Sequence, residues 1–230
     1  MENIGYVVFI CFALPFLLGI PIVKKQMRQI LVFIFIGMCC CLFISEINSL
    51  IYEAIRQDIF DDLYYMTTNI TPVTEEVIKA LPILLFAIFI SSERQTLLTN
   101  SFMVGLGFAL LENSSILVET VIKQGSFDIL WALMRTLGAG LLHSLCTTSV
   151  GVGISFIRDQ KKFFLCGTFA LLAAAIVYHS IFNSLIMADV KELRYAGAVM
   201  PMVTYLAVIA VLVLVYRKGK KKDRPAKVEA

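Results

Sequence analysis

The side chains of this sequence that could carry out chemistry lie inside long apolar segments rather than between them. Four successive apolar segments each contribute polar residues, and the only two histidines of the protein are among them. A charged side chain at mid-bilayer costs roughly 2.5–3.5 kcal/mol on insertion scales, so such residues usually face a polar interior. We therefore predict one shared polar site. Its candidate residues are Glu75, Glu76, Lys79, Glu112, Asn113, Arg135, His143, His179 and Asn183.

Carboxylates beside imidazoles are suited to hydrolysis. One of the two adjacent glutamates can act as general base on water, while a histidine and Asn183 donate hydrogen bonds to the oxyanion. Alternatively, Zn²⁺ or another divalent metal could be bound by Glu112, His143 and His179, because a catalytic zinc site needs about three protein ligands and an open position for water. No HExxH helix is present, so the signature of common soluble zinc proteases gives no support for the metal. The residues alone leave both mechanisms open.

Membrane-spanning helices must position these residues. The chain has 230 residues, of which 59% are hydrophobic and 16% charged, whereas soluble domains have close to half apolar and about a quarter charged residues. The apolar runs have the length that crosses about 30 Å of hydrocarbon. The sequence therefore predicts an all-α polytopic membrane helix bundle of about seven spans, near 6–23, 30–52, 71–90, 101–121, 129–156, 163–187 and 198–216.

Short connections predict that residues 1–230 form a single transmembrane domain, with a core at 71–187. Basic residues concentrate in the first and fifth connections, which include Lys24 and Arg158, and in the tail at 217–230. The second connection is acidic and contains Asp58 and Asp61. Because Lys and Arg mark cytoplasmic segments, we expect the N-terminus outside and the tail inside. We expect the tail to contact lipid headgroups and no nucleic acid, in a multi-pass protein of the cell membrane.

The depth of each polar residue follows from a helical rise of about 1.5 Å per residue. Counted from the outer ends of their predicted spans, the two adjacent glutamates, Glu112 and the two histidines lie at overlapping depths. Most of them fall in the outer half of the bilayer. The predicted site can therefore open toward the extracytoplasmic side.

The order of the motifs resembles that of the PrsW-type intramembrane proteases. EExxK, GFxxxEN, a histidine helix preceded by arginine, and HxxxN follow one another between about residues 71 and 187. The matching residues are Glu75, Glu76 and Lys79; Gly107, Phe108, Glu112 and Asn113; Arg135 and His143; His179 and Asn183. That family is similar to the CAAX-type prenyl endoproteases and their bacteriocin-processing relatives, and more distantly to the scaffold subunit of gamma-secretase.

The resemblance implies an intramembrane endopeptidase, of metallo- or glutamic type. It would cleave membrane-anchored proteins or peptides near the extracytoplasmic face, with anti-sigma-factor-like proteins among its substrates. One departure is Ser180 after His179, where we expect glycine in the family. The alternative function is a non-catalytic membrane scaffold or transporter subunit that uses the same polar cavity. Two adjacent glutamates favour the enzyme, because a scaffold needs no general base.

Overall fold

The apolar segments fold into helices with short connections. A computed structural model describes residues 4–55, 62–126, 128–157 and 160–222. The helices are α1 (Ile4–Gly19), α2 (Lys25–Ile55), α3 (Asp62–Tyr65), α4 (Thr71–Phe89), α5 (Arg94–Gln124), α6 (Ile129–Ile154), α7 (Lys161–Ile186) and α8 (Lys191–Lys222). A π-helical turn, Met66–Ile70, joins α3 directly to α4. The structure is 90% helical, without a strand in these ranges.

The predicted all-α polytopic membrane fold is confirmed. By length and composition, five helices can cross a membrane, namely α2, α5, α6, α7 and α8. All seven predicted spans fall on helices, but α1 has only 16 residues and α4 contains three charged residues. Seven as the number of spans, and the orientation, therefore stay predictions. Asp58, Asp61, Arg158 and residues 223–230, on which the orientation partly rests, lie outside the described residues.

Helix α4 lies where the motif-bearing helices meet. It packs against α2, α5, α6 and α7, while α5 and α6 pack along each other. The interior between them is apolar and includes the buried residues Leu97, Leu142 and Val150. Apolar side chains also cover the outside, as on α8, where Leu206 and Leu212 are exposed. An apolar exterior around a bundle of this composition suits contact with lipid.

Glycines allow α5 to approach both of its neighbours closely. A Cβ atom at Gly105 would overlap the carbonyl oxygen of His143 on α6, and one at Gly107 would overlap that of Ile34 on α2. Small residues at such crossings let helix backbones pack closely in membranes. The close approach of α5 and α6 brings Glu112, two turns beyond Gly105, to the part of α6 that carries His143.

Candidate active site

The site begins where the π-helical turn enters α4. The N–H of Thr71 donates to the carbonyl of Met66, five residues earlier. In the same pattern, the N–H of residue 72 would bond to the carbonyl of Thr67, but residue 72 is proline and has no N–H. Proline is well tolerated in the first turn of a helix, so α4 begins here. Its first two turns carry the two adjacent glutamates, and both are buried.

Lys79 connects α4 to α6 inside the bundle. Its side chain is fully buried, and its Nζ lies 2.7 Å from Glu76 Oε1 and 3.0 Å from His143 Nδ1. The ammonium also lies 4.7 Å from the centroid of the Phe108 ring, within the range of a cation–π contact. Because an ammonium only donates hydrogen bonds, Nδ1 of His143 accepts. The proton of the neutral imidazole is therefore on Nε2.

Each histidine directs one ring nitrogen to a carboxylate. His143 Nε2 lies 2.9 Å from Glu112 Oε2, and His179 Nδ1 lies 2.8 Å from Glu76 Oε1. Since an ionised carboxylate only accepts, these nitrogens carry the protons and the opposite nitrogens carry lone pairs. Those lone-pair nitrogens, Nδ1 of His143 and Nε2 of His179, lie 3.7 and 3.8 Å from Glu75 Oε2. Three acceptor atoms thus lie close together in the buried interior, with the Lys79 ammonium at one of them.

This geometry fits a divalent metal. Glu75, Glu76, His143 and His179 are all buried and offer ligand atoms within 4.8 Å of one another. In a tetrahedral zinc site with bonds of 2.0–2.1 Å, ligand atoms are about 3.4 Å apart, close to the separations of 3.7 and 3.8 Å from Glu75 Oε2. Within the described residues, Oε2 of Glu75 and Oε2 of Glu76 are buried without a hydrogen-bond partner. Unpaired buried acceptors call for a cation.

The charge balance supports the same conclusion. Glu75, Glu76 and Glu112 bring three carboxylates to the site, and Lys79 brings one ammonium. With neutral imidazoles and ionised carboxylates, Lys79 and the neighbouring Arg135 offset two of these three charges, which leaves a net negative charge at the site. Uncompensated charge is costly to bury. A divalent cation would offset it, and two imidazoles with one or two carboxylates form a ligand set that suits Zn²⁺.

A family comparison identifies the class of this site. The family model described as PrsW family intramembrane metalloprotease matches residues 25–216, which include every candidate site residue. The chain belongs to the PrsW family. Neither a curated protein nor a solved structure matches the chain. The family match confirms the resemblance that the motifs indicated. Intramembrane proteolysis is the activity of this family. The scaffold or transporter alternative is not favoured.

Six of the nine predicted residues form one connected network in this PrsW-family chain. They are Glu75, Glu76, Lys79, Glu112, His143 and His179. Lys79 Nζ contacts both adjacent glutamates, at 2.7 Å from Glu76 and 3.8 Å from Glu75. Glu112, predicted as a ligand with the two histidines, contacts the Nε2 atom of His143, which points away from Glu75. Its role as a ligand stays a prediction.

The other three predicted residues have partners outside that network. Arg135 Nη1 donates to Asn113 Oδ1 at 3.0 Å, which links α6 to α5. Asn183 Nδ2 donates to the backbone carbonyl of Thr67 at 2.8 Å, which links α7 to the π-helical turn. Their catalytic roles stay predictions. The observed contacts are those of residues that hold helices together.

Sequence reasoning missed Asn48 on α2. Its Oδ1 accepts from Thr74 Oγ1 at 2.7 Å, and its Nδ2 donates to Thr71 Oγ1 at 3.4 Å. These bonds hold the start of α4 from the side of α2. The available signal was an amide within the second predicted span, because polar side chains inside membrane helices usually bond between helices.

Proposed function

We propose that the protein is an endopeptidase of the cell membrane that hydrolyses peptide bonds of membrane-anchored proteins near the extracytoplasmic face. Anti-sigma-factor-like proteins are one candidate substrate class. One observation carries the proposal: Nδ1 of His143 and Nε2 of His179 both lie within 3.8 Å of Oε2 of Glu75 in the buried interior. A free carboxylate oxygen of the next residue, Glu76, lies in the same buried site. The predicted orientation supports the extracytoplasmic side, because it places the start of α4 there.

Zn²⁺, or another divalent metal, would be held by Glu75, His143 and His179. When bound, such a cation turns water into a nucleophile near neutral pH and polarises the substrate carbonyl. This set differs in one residue from the predicted set, in which Glu112 is the third ligand. Here Glu112 accepts from His143 Nε2 at 2.9 Å. A carboxylate in that position fixes the orientation of a ligating histidine.

Glu76 has the geometry of a general base. Its Oε1 accepts from His179 and from Lys79, so two hydrogen bonds hold the carboxylate in place. Its Oε2 is buried and has no hydrogen-bond partner among the described residues. In the proposed reaction Oε2 takes a proton from the attacking water. The same carboxylic acid then returns the proton to the leaving amine as the C–N bond breaks.

The three carboxylates of the site differ in exposure. The side chain of Glu112 is 25% exposed, whereas those of Glu75 and Glu76 are 4% and 0% exposed. Glu112 is therefore the carboxylate of the three that a group outside the bundle can contact. The buried position of the base excludes bulk water, which strengthens electrostatic stabilisation of the oxyanion.

The test uses purified full-length protein in detergent with a single-span test substrate. We expect cleavage, stoichiometric bound metal by elemental analysis and reversible inhibition by a chelator. The His179→Ala variant should lose both metal and cleavage, because it removes one of three ligands. Tyr178→Phe is the matched control: Tyr178 is the neighbouring residue, and its hydroxyl bonds to Thr204 on α8, so metal and cleavage should persist.

Two results would contradict parts of this proposal. Wild-type protein that cleaves fully after exhaustive chelation, and contains no transition metal, would exclude the metal and leave the glutamic mechanism. Wild-type protein that binds metal but cleaves no membrane-anchored substrate would instead favour the scaffold or transporter alternative.

A further inference from the structure

A backbone carbonyl at the entry to α4 lacks its backbone donor. The Thr71 N–H donates to the carbonyl of Met66, so the next bond of that series would run from residue 72 to Thr67. Pro72 has no N–H and is buried, and Thr67 is half-buried. A buried carbonyl that remains unpaired costs about 1–3 kcal/mol.

Asn183 supplies a donor to this carbonyl from another helix. Its Nδ2 lies 2.8 Å from the oxygen of Thr67, although the two residues are 116 positions apart in the sequence. Asn183 follows His179 by one turn of α7. Pro72 precedes Glu75 by three residues and therefore lies one turn before it on α4. The bond thus links the part of α7 that carries His179 to the turn that leads into the glutamates.

We propose that Asn183 is a positioning residue whose side-chain amide replaces the backbone N–H that Pro72 lacks. By this bond it fixes α7 against α4, so that Nε2 of His179 faces Oε2 of Glu75. Functional side chains must be held within about 0.5 Å of their working geometry by supporting contacts. This inference rests on the proposed function, in which His179 and Glu75 bind the metal together. This role differs from the predicted one, in which Asn183 donates to the oxyanion of the substrate, because here the amide donates to the Thr67 carbonyl.

Asn48 offers a natural comparison. It also holds the start of α4, but it bonds to the hydroxyls of Thr71 and Thr74, not to a backbone carbonyl. Replacing Pro72 by alanine would supply the missing N–H for the Thr67 carbonyl and leave the Asn48 bonds unaffected. The energetic effect of Asn183 should therefore depend on Pro72, and that of Asn48 should not.

A double-mutant cycle in the full-length protein tests the proposal. The variants are Asn183→Ala, Pro72→Ala and their combination, with Asn48→Ala in both backgrounds as the control. We measure the Tm in detergent, the zinc Kd by competition with a chelator, and kcat and KM with a single-span substrate. Asn183→Ala alone should lower the Tm and weaken zinc binding about tenfold, the low end for a lost support of a ligand, because Asn183 acts on His179 through the helix and not by direct contact. Its kcat should fall with little change in KM, since Asn183 does not contact substrate.

The combination should show the dependence on Pro72. In the Pro72→Ala background, Asn183→Ala should change the Tm and the zinc Kd much less, because residues in contact couple in such cycles. Asn48→Ala should have the same effect in both backgrounds. Equal effects of Asn183→Ala with and without Pro72, in a wild type that binds zinc and cleaves substrate, would overturn the positioning role alone. A wild type that neither binds zinc nor cleaves contradicts the proposed function, and the positioning role falls with it even if the Tm values couple.

Discussion

Two groups of intramembrane polar residues differ in what their side chains contact. Residues of the inner group contact one another, and those of the outer group bond to partners outside the inner group. The inner group is Glu75, Glu76, Lys79, His143 and His179, and the outer group is Asn113, Arg135 and Asn183. The inner group lies on α4, α6 and α7, and the outer group lies on α5, α6 and α7. Residue type and helical spacing therefore place a polar residue near the site, but its contacts decide whether it can hold a reacting atom.

Glu112 lies between the two groups. It contacts the inner residue His143, but through the ring nitrogen that faces away from Glu75. It is also the most exposed of the three carboxylates, at 25% of its side chain. Substituting residues of each group, and measuring metal binding separately from cleavage, distinguishes the roles of the inner and outer groups.

The adjacent glutamates should show the largest effects and should differ from each other. Glu75→Gln replaces a proposed carboxylate ligand by a neutral amide, which binds zinc far more weakly, so we expect loss of both stoichiometric metal and cleavage. Glu76→Gln removes the proposed base but keeps an acceptor for His179, so metal should remain while kcat falls about 10²–10⁴-fold. Elemental analysis measures the metal content, and single-turnover cleavage measures the rate, in variants that are folded and inserted in the membrane. Normal turnover in both variants would exclude this site as the proteolytic centre.

Glu112→Gln should have an intermediate effect. A lost carboxylate support of a ligating histidine typically costs 10–100-fold in metal affinity. We therefore expect the Glu112→Gln variant to have a higher zinc Kd, and its cleavage activity to recover when the zinc concentration exceeds that Kd. Recovery of cleavage would show that Glu112 orients His143 and is not itself a metal ligand. Cleavage that stays absent at saturating zinc, together with loss of stoichiometric metal, would instead favour the set of Glu112, His143 and His179.

Much of the helical fold was predictable because the apolar runs have the length of a membrane span. The convergence of the inner group was also predictable, since four helices carried polar residues at overlapping depths. Helix α4 shows the limit of predicting spans from hydropathy, because it contains three charged residues, all of them in the proposed site. Hydropathy cannot distinguish such a helix from a surface helix.

The contacts within the site were less predictable from sequence. Glu75 and Glu76 are neighbours in sequence and point about 100° apart around a helix, yet both are buried, because α4 is surrounded by α2, α5, α6 and α7. Which ring nitrogen of a histidine faces which carboxylate depends on the rotation and packing of each helix. The contact of Asn183 with Thr67 depends on a π-helical turn, which no spacing rule predicts.

The smallest effects concern the two cations near the site, Lys79 and Arg135. The Lys79 ammonium lies 3.0 Å from His143 Nδ1, the atom that the proposed metal would contact, so the two compete for one lone pair. Like charges repel, so the ammonium opposes a cation bound at that nitrogen. Lys79→Met, which keeps much of the side-chain volume, should therefore bind zinc about tenfold more tightly or better.

Arg135→Met removes a charge of the same sign from the outer group and completes the comparison. Arg135 is half-buried and bonds to Asn113, not to a proposed ligand, so its charge is better screened from the metal. We expect its zinc Kd to stay within about twofold of wild type, with a loss of about 1 kcal/mol in stability from one broken hydrogen bond. Chelator competition and thermal unfolding of both variants make the measurement. If Arg135→Met tightened zinc binding as much as Lys79→Met, net charge alone would control the affinity, and direct contact with His143 would not distinguish the inner from the outer group.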